Sequence, residues 1–242
     1  MSHEVSAILL AAGSSKRMGK PKQLLPLGER PVIVHCLETI RGAGIDDIVV
    51  VVGSNSDEIL QAIEAFTPIT VRNRIPESDR FAPTFDFRPS TIRVVQNETP
   101  EADMCESVRV GLKKINPASP GIFICLADHP LVKAETFMGM RRCHAERPGA
   151  IILPVHKGKR GHPPLLPREI LAEIDAVRTL RDLIRRHSKE VHCLDVNDEG
   201  VVFDMDTRED YQRILERYST TPCMREPNNF SYGDITPYGV SE

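Results

Sequence analysis

Apolar and polar positions alternate in blocks along the chain. Short runs rich in Val, Ile and Leu are typical of strands buried on both faces, and they recur as VSAILL, DDIVVVVG, TIRVVQ, GIFICLA, GAIILPV and EVHCLDV. Between most of these runs, apolar residues recur every three or four positions, as in amphipathic helices, over 31–44, 56–66, 101–115 and 133–146. This alternation predicts an α/β fold, with a mostly parallel sheet covered by helices on both faces.

The later part of the pattern predicts further helices and two irregular segments. The helices are predicted over 166–176, 179–187 and 208–218. Residues 67–90 carry Pro and charge where a short turn would suffice before TIRVVQ, so we expect a surface insertion there. Residues 219–242 are rich in turn formers and lack periodicity. We therefore expect one domain over 1–218, followed by an irregular C-terminal tail.

Composition and charge argue against several functional classes. The chain has 31 Lys and Arg against 34 Asp and Glu, so no global basic field attracts nucleic acid or an anionic membrane. Aromatic residues make up 5%, without Trp, which disfavours stacking on single-stranded nucleic acid. No apolar run reaches the roughly 18 residues of a membrane span, and AILLAAG is too short and strand-like for a signal peptide. We expect a cytoplasmic protein that binds anions locally.

The segment LLAAGSSKRMGKPKQLL, residues 9–25, combines small residues with cations directly after the first predicted strand. Small residues let backbone N–H groups approach an anion closely, and cations neutralise its charge. The small residues are Ala11, Ala12, Gly13, Ser14 and Ser15, and the cations are Lys16, Arg17, Lys20 and Lys22. The segment is therefore a candidate phosphate-binding loop, against the alternative of a merely basic surface loop.

Two well-known phosphate loops do not fit this segment. A Walker loop is excluded because five residues, not four, separate Gly13 from Gly19, and Pro21 stands where a magnesium-binding Ser or Thr belongs. A Rossmann GxGxxG is also missing. As a loop cation, Lys22 is expected to be exposed and to contribute little to folding.

The pattern LAAG-x-S-x-R-M-G-x-P-K-x-L-L resembles the opening signature of the nucleotidyltransferases of molybdenum cofactor maturation, the MobA-like NTP transferases. It is most similar to their cytidylyltransferase, or MocA-like, branch. The resemblance implies a Rossmann-like three-layer nucleotidyltransferase fold, and a loop over Leu10, Ala11, Ala12, Gly13, Ser14 and Ser15 that binds a nucleoside triphosphate. Arg17 and Lys22 match the positions that meet the phosphates. The guanylyl branch usually has LAGG where this chain has LAAG, so the resemblance favours CTP over GTP.

A second candidate site is LADHP, which follows the strand-like run GIFIC. Ligands bind at the carboxyl ends of the strands in open parallel sheets, so Asp128 is well placed for metal and phosphate chemistry. Magnesium prefers carboxylate and phosphate oxygens. The segment resembles the family's LADxP motif, in which Asp128 would bind Mg²⁺, although the usual Gln is here His129. The alternative is an Asp that forms a turn or caps a helix.

The segment VFDMDTREDY resembles the family's DxDTPEDL. The second Asp of that motif helps to hold the same magnesium ion, and it corresponds to Asp206. Asp206 and Thr207, with Glu209 and Asp210, also make a plausible helix start. Capping is therefore an open alternative to a metal role.

A further resemblance concerns the nucleotide. Asn97 with Met104, Ser107 and Gly111 resembles the family's N…GMxxSLxxG stretch, which lies against the nucleotide; the family's Gly is here Asp103. This implies that Asn97 and Ser107 bind nucleotide. Ser107 could instead be an ordinary helix residue that faces solvent.

The segment KRGHPPLL resembles RGHPVLF, which the family places near the acceptor. The matching residues are Arg160, Gly161, His162 and Pro163. A cation and a histidine beside a glycine could receive the phosphate of a pterin. The alternative is a structural histidine in a loop.

Together these resemblances imply a magnesium-dependent transfer of CMP from CTP to the phosphate of molybdenum cofactor, with release of pyrophosphate. Lys22, Arg17 and Asp128 would be catalytic, Asp128 and Asp206 would hold the metal, and a client molybdoenzyme is a candidate partner. One alternative is a nucleotidyltransferase that acts on a sugar phosphate or polyol phosphate. Another is a non-catalytic chaperone that carries nucleotide or cofactor to a molybdoenzyme, which the presence of Lys22, Asp128 and Asp206 together disfavours.

Overall fold

The helices follow the predicted alternation. A computed structural model describes residues 5–13, 21–53, 56–66, 91–99 and 103–220. The helices are α1 (Val32–Gly42), α2 (Ser56–Phe66), α3 (Met104–Leu112), α4 (Ala134–Glu146), α5 (Arg168–Leu171), α6 (Leu180–Arg186) and α7 (Arg208–Thr220). Among the described residues, no helix is both long and apolar enough to cross a bilayer. The predicted insertion at 67–90 and residues 221–242 of the predicted tail lie outside the described ranges.

Within the described ranges, the main sheet has eight strands: β1 (Ser6–Ala11), β4 (Asp47–Val52), β5 (Thr91–Gln96), β6 (Gly121–Leu126), β7 (Ile151–His156), β8 (Lys159–Arg160), β9 (Leu165–Pro167) and β10 (Val191–Asp195). Their order across the sheet is β10-β7-β9-β6-β1-β4-β5, with β8 paired to β7. Most of the pairs are parallel. A separate antiparallel pair is formed by β2 (Pro26–Leu27) and β3 (Arg30–Pro31).

Two helical layers enclose the sheet, which confirms the predicted three-layer α/β fold. Successive residues of a strand point to opposite faces. Leu9 therefore belongs to the core cluster that includes residues of α1, α2, α4 and α7, and Ile8 to the cluster that includes residues of α3, α5 and α6. Both side chains are fully buried. The near-continuous apolar runs of the sequence are therefore explained by burial on both faces.

The prediction of a helix over 166–176 is wrong for its first residues. Leu165 and Leu166 belong to β9, which pairs antiparallel with β6 on one side and with β7 on the other. Because the strand lies between two others, its two adjacent leucines are buried on opposite faces. The helix is reduced to α5 and to a 3-10 turn over Ile174–Ala176.

The two edges of the sheet carry different polar groups. At the amino end of β4, Asp47 accepts hydrogen bonds from Ser6 Oγ at 2.5 Å and from the backbone N–H of Asn116 at 3.0 Å, and it pairs with Arg93. These bonds join β1, β4, β5 and the turn before β6, so Asp47 is structural. The candidate functional residues lie at the opposite, carboxyl edge.

Candidate active site

The candidate residues gather where β1 and β6, which pair side by side, reach their carboxyl ends. Ala12 and Gly13 follow β1, and Asp128 follows β6. The backbone N–H of Ala127 donates to the carbonyl of Leu10 at 3.0 Å, which continues the pairing past the end of β6. This contact brings the start of the candidate phosphate loop beside Asp128.

The described part of that loop, residues 10–13, has no polar or charged side chain that could bind an anion. Leu10 and Ala11 are buried in the core, Ala12 is half-buried and Gly13 is exposed. The loop can therefore bind an anion here mainly through its backbone. The other predicted loop residues, Ser14, Ser15 and Arg17, lie outside the described residues.

A buried amide that the sequence reasoning missed holds the start of this loop. Gln23 is only 2% exposed, and its Nε2 donates to the carbonyl oxygens of Ala11 at 3.0 Å and Gly13 at 3.2 Å. Gln23 is the residue directly after Lys22, and both belong to a short 3-10 helix over Lys22–Leu24. Gln23 thus ties the loop to the residue that carries the candidate catalytic cation.

Lys22 lies between the two predicted metal ligands. Its Nζ donates to Asp128 Oδ2 at 2.6 Å and to Asp206 Oδ1 at 3.0 Å. The Lys22 side chain is 13% exposed, against 19% for Asp128 and 46% for Asp206. The expectation that Lys22 is an exposed cation is therefore wrong, because the two carboxylates draw it into the site.

Electrostatics keep this lysine protonated. Burial lowers the pKa of Lys22, but the charge and hydrogen bonds of Asp128 and Asp206 outweigh burial, so that the pKa is raised above its ordinary value. The site therefore presents a fixed positive charge beside the loop after β1.

Asp128 and Asp206 could hold a metal ion through oxygen atoms. Asp128 Oδ1 is buried and accepts no hydrogen bond from any described residue, and it lies 3.8 Å from His129 Nε2. Within the described ranges, no three His, Cys, Asp or Glu side chains are grouped to hold a metal. A hard divalent ion that takes two carboxylates, and fills its shell from phosphates and water, fits this pair.

A helix does begin directly after Asp206, as the capping alternative predicts. Thr207 Oγ1 accepts a hydrogen bond from the backbone N–H of Asp210 at 3.1 Å, and Asp210 accepts in return from the N–H and hydroxyl of Thr207. This reciprocal pair caps α7. The carboxylate of Asp206 accepts a hydrogen bond from Lys22.

Asn97 and Ser107 are brought together at the end of β5. Asn97 Nδ2 donates to Ser107 Oγ at 3.0 Å, and Asn97 Oδ1 accepts from the backbone and hydroxyl of Thr99. Both residues are buried, so Ser107 does not face solvent. This hydrogen bond joins the end of β5 to α3. The pair is separated from Asp128, which follows β6, by strands β1 and β4.

The segment 160–163 lies on the other side of Asp128. Arg160 is exposed on β8, and His162 packs against His129, with ring centroids 5.2 Å apart. The backbone N–H of His162 donates to the carbonyl of Val201 at 2.7 Å, and Pro163 is buried. Of the predicted acceptor residues, His162 thus contacts His129, the neighbour of Asp128.

Burial of His162 predicts an acid-sensitive fold. Burial, assisted by nearby His129 and opposed by Asp128, lowers the pKa of His162 to about 4. The ordinary pKa is 6.5. In this range the unfolded chain binds a proton that the folded chain does not, so stability falls as the pH decreases from about 6.5 towards 4.

We expect His162→Asn to take up about one proton fewer on unfolding in this range. Urea titrations at several pH values would give the free energy of unfolding of both proteins as a function of pH. The same change of this free energy between pH 4 and 6.5 in both proteins would contradict the prediction.

Comparisons with known proteins give a family profile and two relatives. The sequence profile of the MobA-like NTP transferase domain matches residues 7–191. The bifunctional protein GlmU of Psychrobacter sp. (strain PRwf-1) is 26% identical over 157 residues, which cover 64% of this chain but only 29% of GlmU. Nicotine blue oxidoreductase of Paenarthrobacter nicotinovorans is 26% identical over 223 residues, 87% of this chain and 96% of the relative.

A solved structure with a similar fold is that of Rv0371c from Mycobacterium tuberculosis. It is 26% identical, with a TM-score of 0.68, and the match covers 88% of this chain and 98% of Rv0371c. A second crystal structure of Rv0371c is described as a complex with manganese; it is 24% identical, with a TM-score of 0.61, over 89% of this chain and all of that one.

Proposed function

The chain belongs to the MobA-like NTP transferase family, and on that basis we propose that it transfers CMP from CTP to the phosphate of molybdenum cofactor and releases pyrophosphate. The observation that carries this proposal is the position of Lys22 between Asp128 and Asp206, beside the loop after β1. A cation, two carboxylates and a loop of small residues are the groups that nucleotidyl transfer requires.

Mg²⁺ is the proposed metal, and Asp128 and Asp206 are the residues that would hold it. The unpartnered Oδ1 of Asp128 supports this assignment, as does the manganese complex of Rv0371c. When bound, such an ion neutralises phosphate charge and stabilises the charge that develops during transfer.

In the proposed reaction, an oxygen of the acceptor phosphate attacks the α-phosphorus of CTP. A new P–O bond forms there, the bond to the β-phosphate breaks, and pyrophosphate leaves with the bonding electrons. The attacking phosphate is already an anion, so no strong general base is needed, and the protein contributes positioning and charge neutralisation. Lys22 would neutralise the α-phosphoryl group, while Arg17 and the N–H groups of the loop would hold the departing pyrophosphate.

Strand order supports opposite positions for base and acceptor. Asn97 follows β5, which lies three strands from β6, roughly 14 Å away at the usual strand spacing. That span suits a nucleotide whose phosphates lie near Asp128 and whose base reaches Asn97 and Ser107. Arg160, Gly161, His162 and Pro163 lie on the β7 and β9 side, which leaves that side for the acceptor.

Pyrophosphate release tests the proposal. The full chain would be assayed with CTP, GTP, ATP and UTP in turn, each with Mg²⁺ and with molybdenum cofactor, a sugar phosphate or no acceptor. We expect release only with CTP and molybdenum cofactor together. A preference for GTP would contradict the assignment of the base, release with the sugar phosphate would contradict that of the acceptor, and silence throughout would contradict transfer at this site.

A further inference from the structure

Asp198 is a buried carboxylate that no sequence motif singles out. It lies in the segment that leads from β10 to Asp206, and only 2% of it is exposed. Its Oδ1 accepts a hydrogen bond from Gly200 N at 3.0 Å, and its Oδ2 accepts from Lys133 N at 2.9 Å and from Thr136 Oγ1 at 2.6 Å. A buried carboxylate is costly unless donors of this kind satisfy it, so its position requires an explanation.

The donors to Asp198 belong to two segments and to α4, which contains Thr136. One segment, residues 198–206, is here termed the Asp206 arm; the other, residues 127–133, is termed the Asp128 loop and ends where α4 begins. Asp198 therefore joins the start of the arm to the end of the loop. At the other end of the arm, the N–H of Met205 donates to the carbonyl of Asp128 at 3.0 Å.

Close backbone packing joins the same segments between these two points. The carbonyl of Gly200 lies 3.3 Å from His129 Nδ1, within hydrogen-bond distance. A Cβ atom on Gly200 would overlap the backbone carbonyl of Leu131, and one on Gly161 would overlap that of Val201. The arm is therefore packed directly against the Asp128 loop at Gly200, and against the segment after β8 at Gly161.

We propose that Asp198 is a positioning residue that sets the separation of the carboxylates of Asp128 and Asp206. Asp198 is not itself a proposed metal ligand. It joins the arm to the end of the Asp128 loop and to α4, through Lys133 and Thr136. Two carboxylates bind one ion well only when their spacing is held, and residues that hold ligands in this way commonly change metal affinity by about 10- to 100-fold. The inference rests on the proposed function, because it assumes that both carboxylates bind the metal.

The test compares Asp198 with Asp47, which lies at the opposite edge of the sheet. Each carboxylate accepts three hydrogen bonds that join separate segments of the chain. Asp198→Asn places an amide where three donors converge, so one donor must face another. Asp47→Asn does the same at the amino end of β4, far from the arm. We expect both substitutions to lower the melting temperature, and only Asp198→Asn to weaken binding of Mn²⁺ to the full chain, by about 10-fold or more. Free Mn²⁺ would be followed by electron paramagnetic resonance, first without nucleotide and then with CTP, because Lys22 Nζ donates to both carboxylates and the phosphates of CTP would offer it other acceptors.

Thr136→Val is a milder second variant, in case Asp198→Asn does not fold. It keeps the shape of a buried side chain and removes only one donor to Asp198. We expect it to weaken Mn²⁺ binding in the same direction by a smaller factor.

The outcomes separate this inference from the proposed function. Asp128→Asn and Asp206→Asn serve as references for the metal site itself. If the unaltered chain binds Mn²⁺ no better than these two variants even with CTP present, the metal site is wrong and the inference falls with it. If the references do weaken binding but Asp198→Asn and Thr136→Val do not, or if Asp47→Asn weakens it equally, the metal site stands and the positioning role of Asp198 is overturned.

Discussion

Replacement of Lys22 by methionine is expected to reduce nucleotidyl transfer by a factor of about 10² to 10³, and to strengthen metal binding in the absence of nucleotide. The first effect follows because the variant lacks the charge proposed to neutralise the α-phosphoryl group. The second follows because Nζ lies 2.6 Å from Asp128 and 3.0 Å from Asp206, where its positive charge competes with any metal cation for the same oxygens.

Lys22 therefore has two alternative partners. Without ligands its ammonium group is bonded to the carboxylates; with CTP bound, phosphate oxygens offer it a second set of acceptors. Movement of Lys22 towards the phosphates would free the carboxylates for a metal ion, so each ligand should strengthen binding of the other by the same factor. The part of this coupling that depends on Lys22 should be lost in Lys22→Met, so the effect of CTP on Mn²⁺ binding should be smaller there.

The measurement is a titration with Mn²⁺, with and without CTP, on the unaltered chain, Lys22→Met and Lys22→Arg. Arginine keeps the positive charge, so Lys22→Arg should still bind Mn²⁺ weakly without CTP. Loss of the ion pairs should also destabilise Lys22→Met by about 1–3 kcal/mol, an amount that bound Mn²⁺ should partly restore. Equal or weaker Mn²⁺ binding by Lys22→Met would show that Lys22 does not compete with the metal.

The sequence predicted the layers of the fold because burial leaves a direct mark on composition. Runs such as DIVVVV in β4 are apolar at every position, since both faces of the strand are covered. The same signal was ambiguous for Leu165 and Leu166, because two adjacent leucines suit a short strand as well as the start of a helix. These leucines form a strand because β9 pairs with β6 on one side and β7 on the other, and that arrangement exists only in the folded chain.

The site was predictable where a motif joins residue type and spacing, and not elsewhere. Lys22, Asp128 and Asp206 were identified from such motifs, although the burial of Lys22 depends on partners far along the chain. Gln23 and Asp198 were missed because an amide or carboxylate in a loop has no periodicity. Their roles arise only when the fold brings backbone donors and acceptors around them.

Replacement of Asp128 by asparagine is expected to cause the largest loss among the carboxylates, about 10³-fold in the rate of pyrophosphate release. Asp128 is the more buried of the two proposed ligands, and its Oδ1 has no hydrogen-bond donor among the described residues. An amide would remove the negative charge and offer one oxygen instead of two. Asp206 is about half-exposed, where water can partly replace it, so Asp206→Asn should cost less, about 10²-fold.

Asp204 provides the matched control, because it is an exposed carboxylate two positions before Asp206. Asp204→Asn changes the net charge of the chain by the same amount and should leave turnover unchanged. Single-turnover pyrophosphate release at saturating CTP would rank the three variants. An equal loss in Asp128→Asn and Asp204→Asn would mean that general charge, not a ligand at the end of β6, supports the reaction. A larger loss in Asp206→Asn than in Asp128→Asn would mean that the exposed carboxylate, and with it the arm that carries it, provides the principal metal contact.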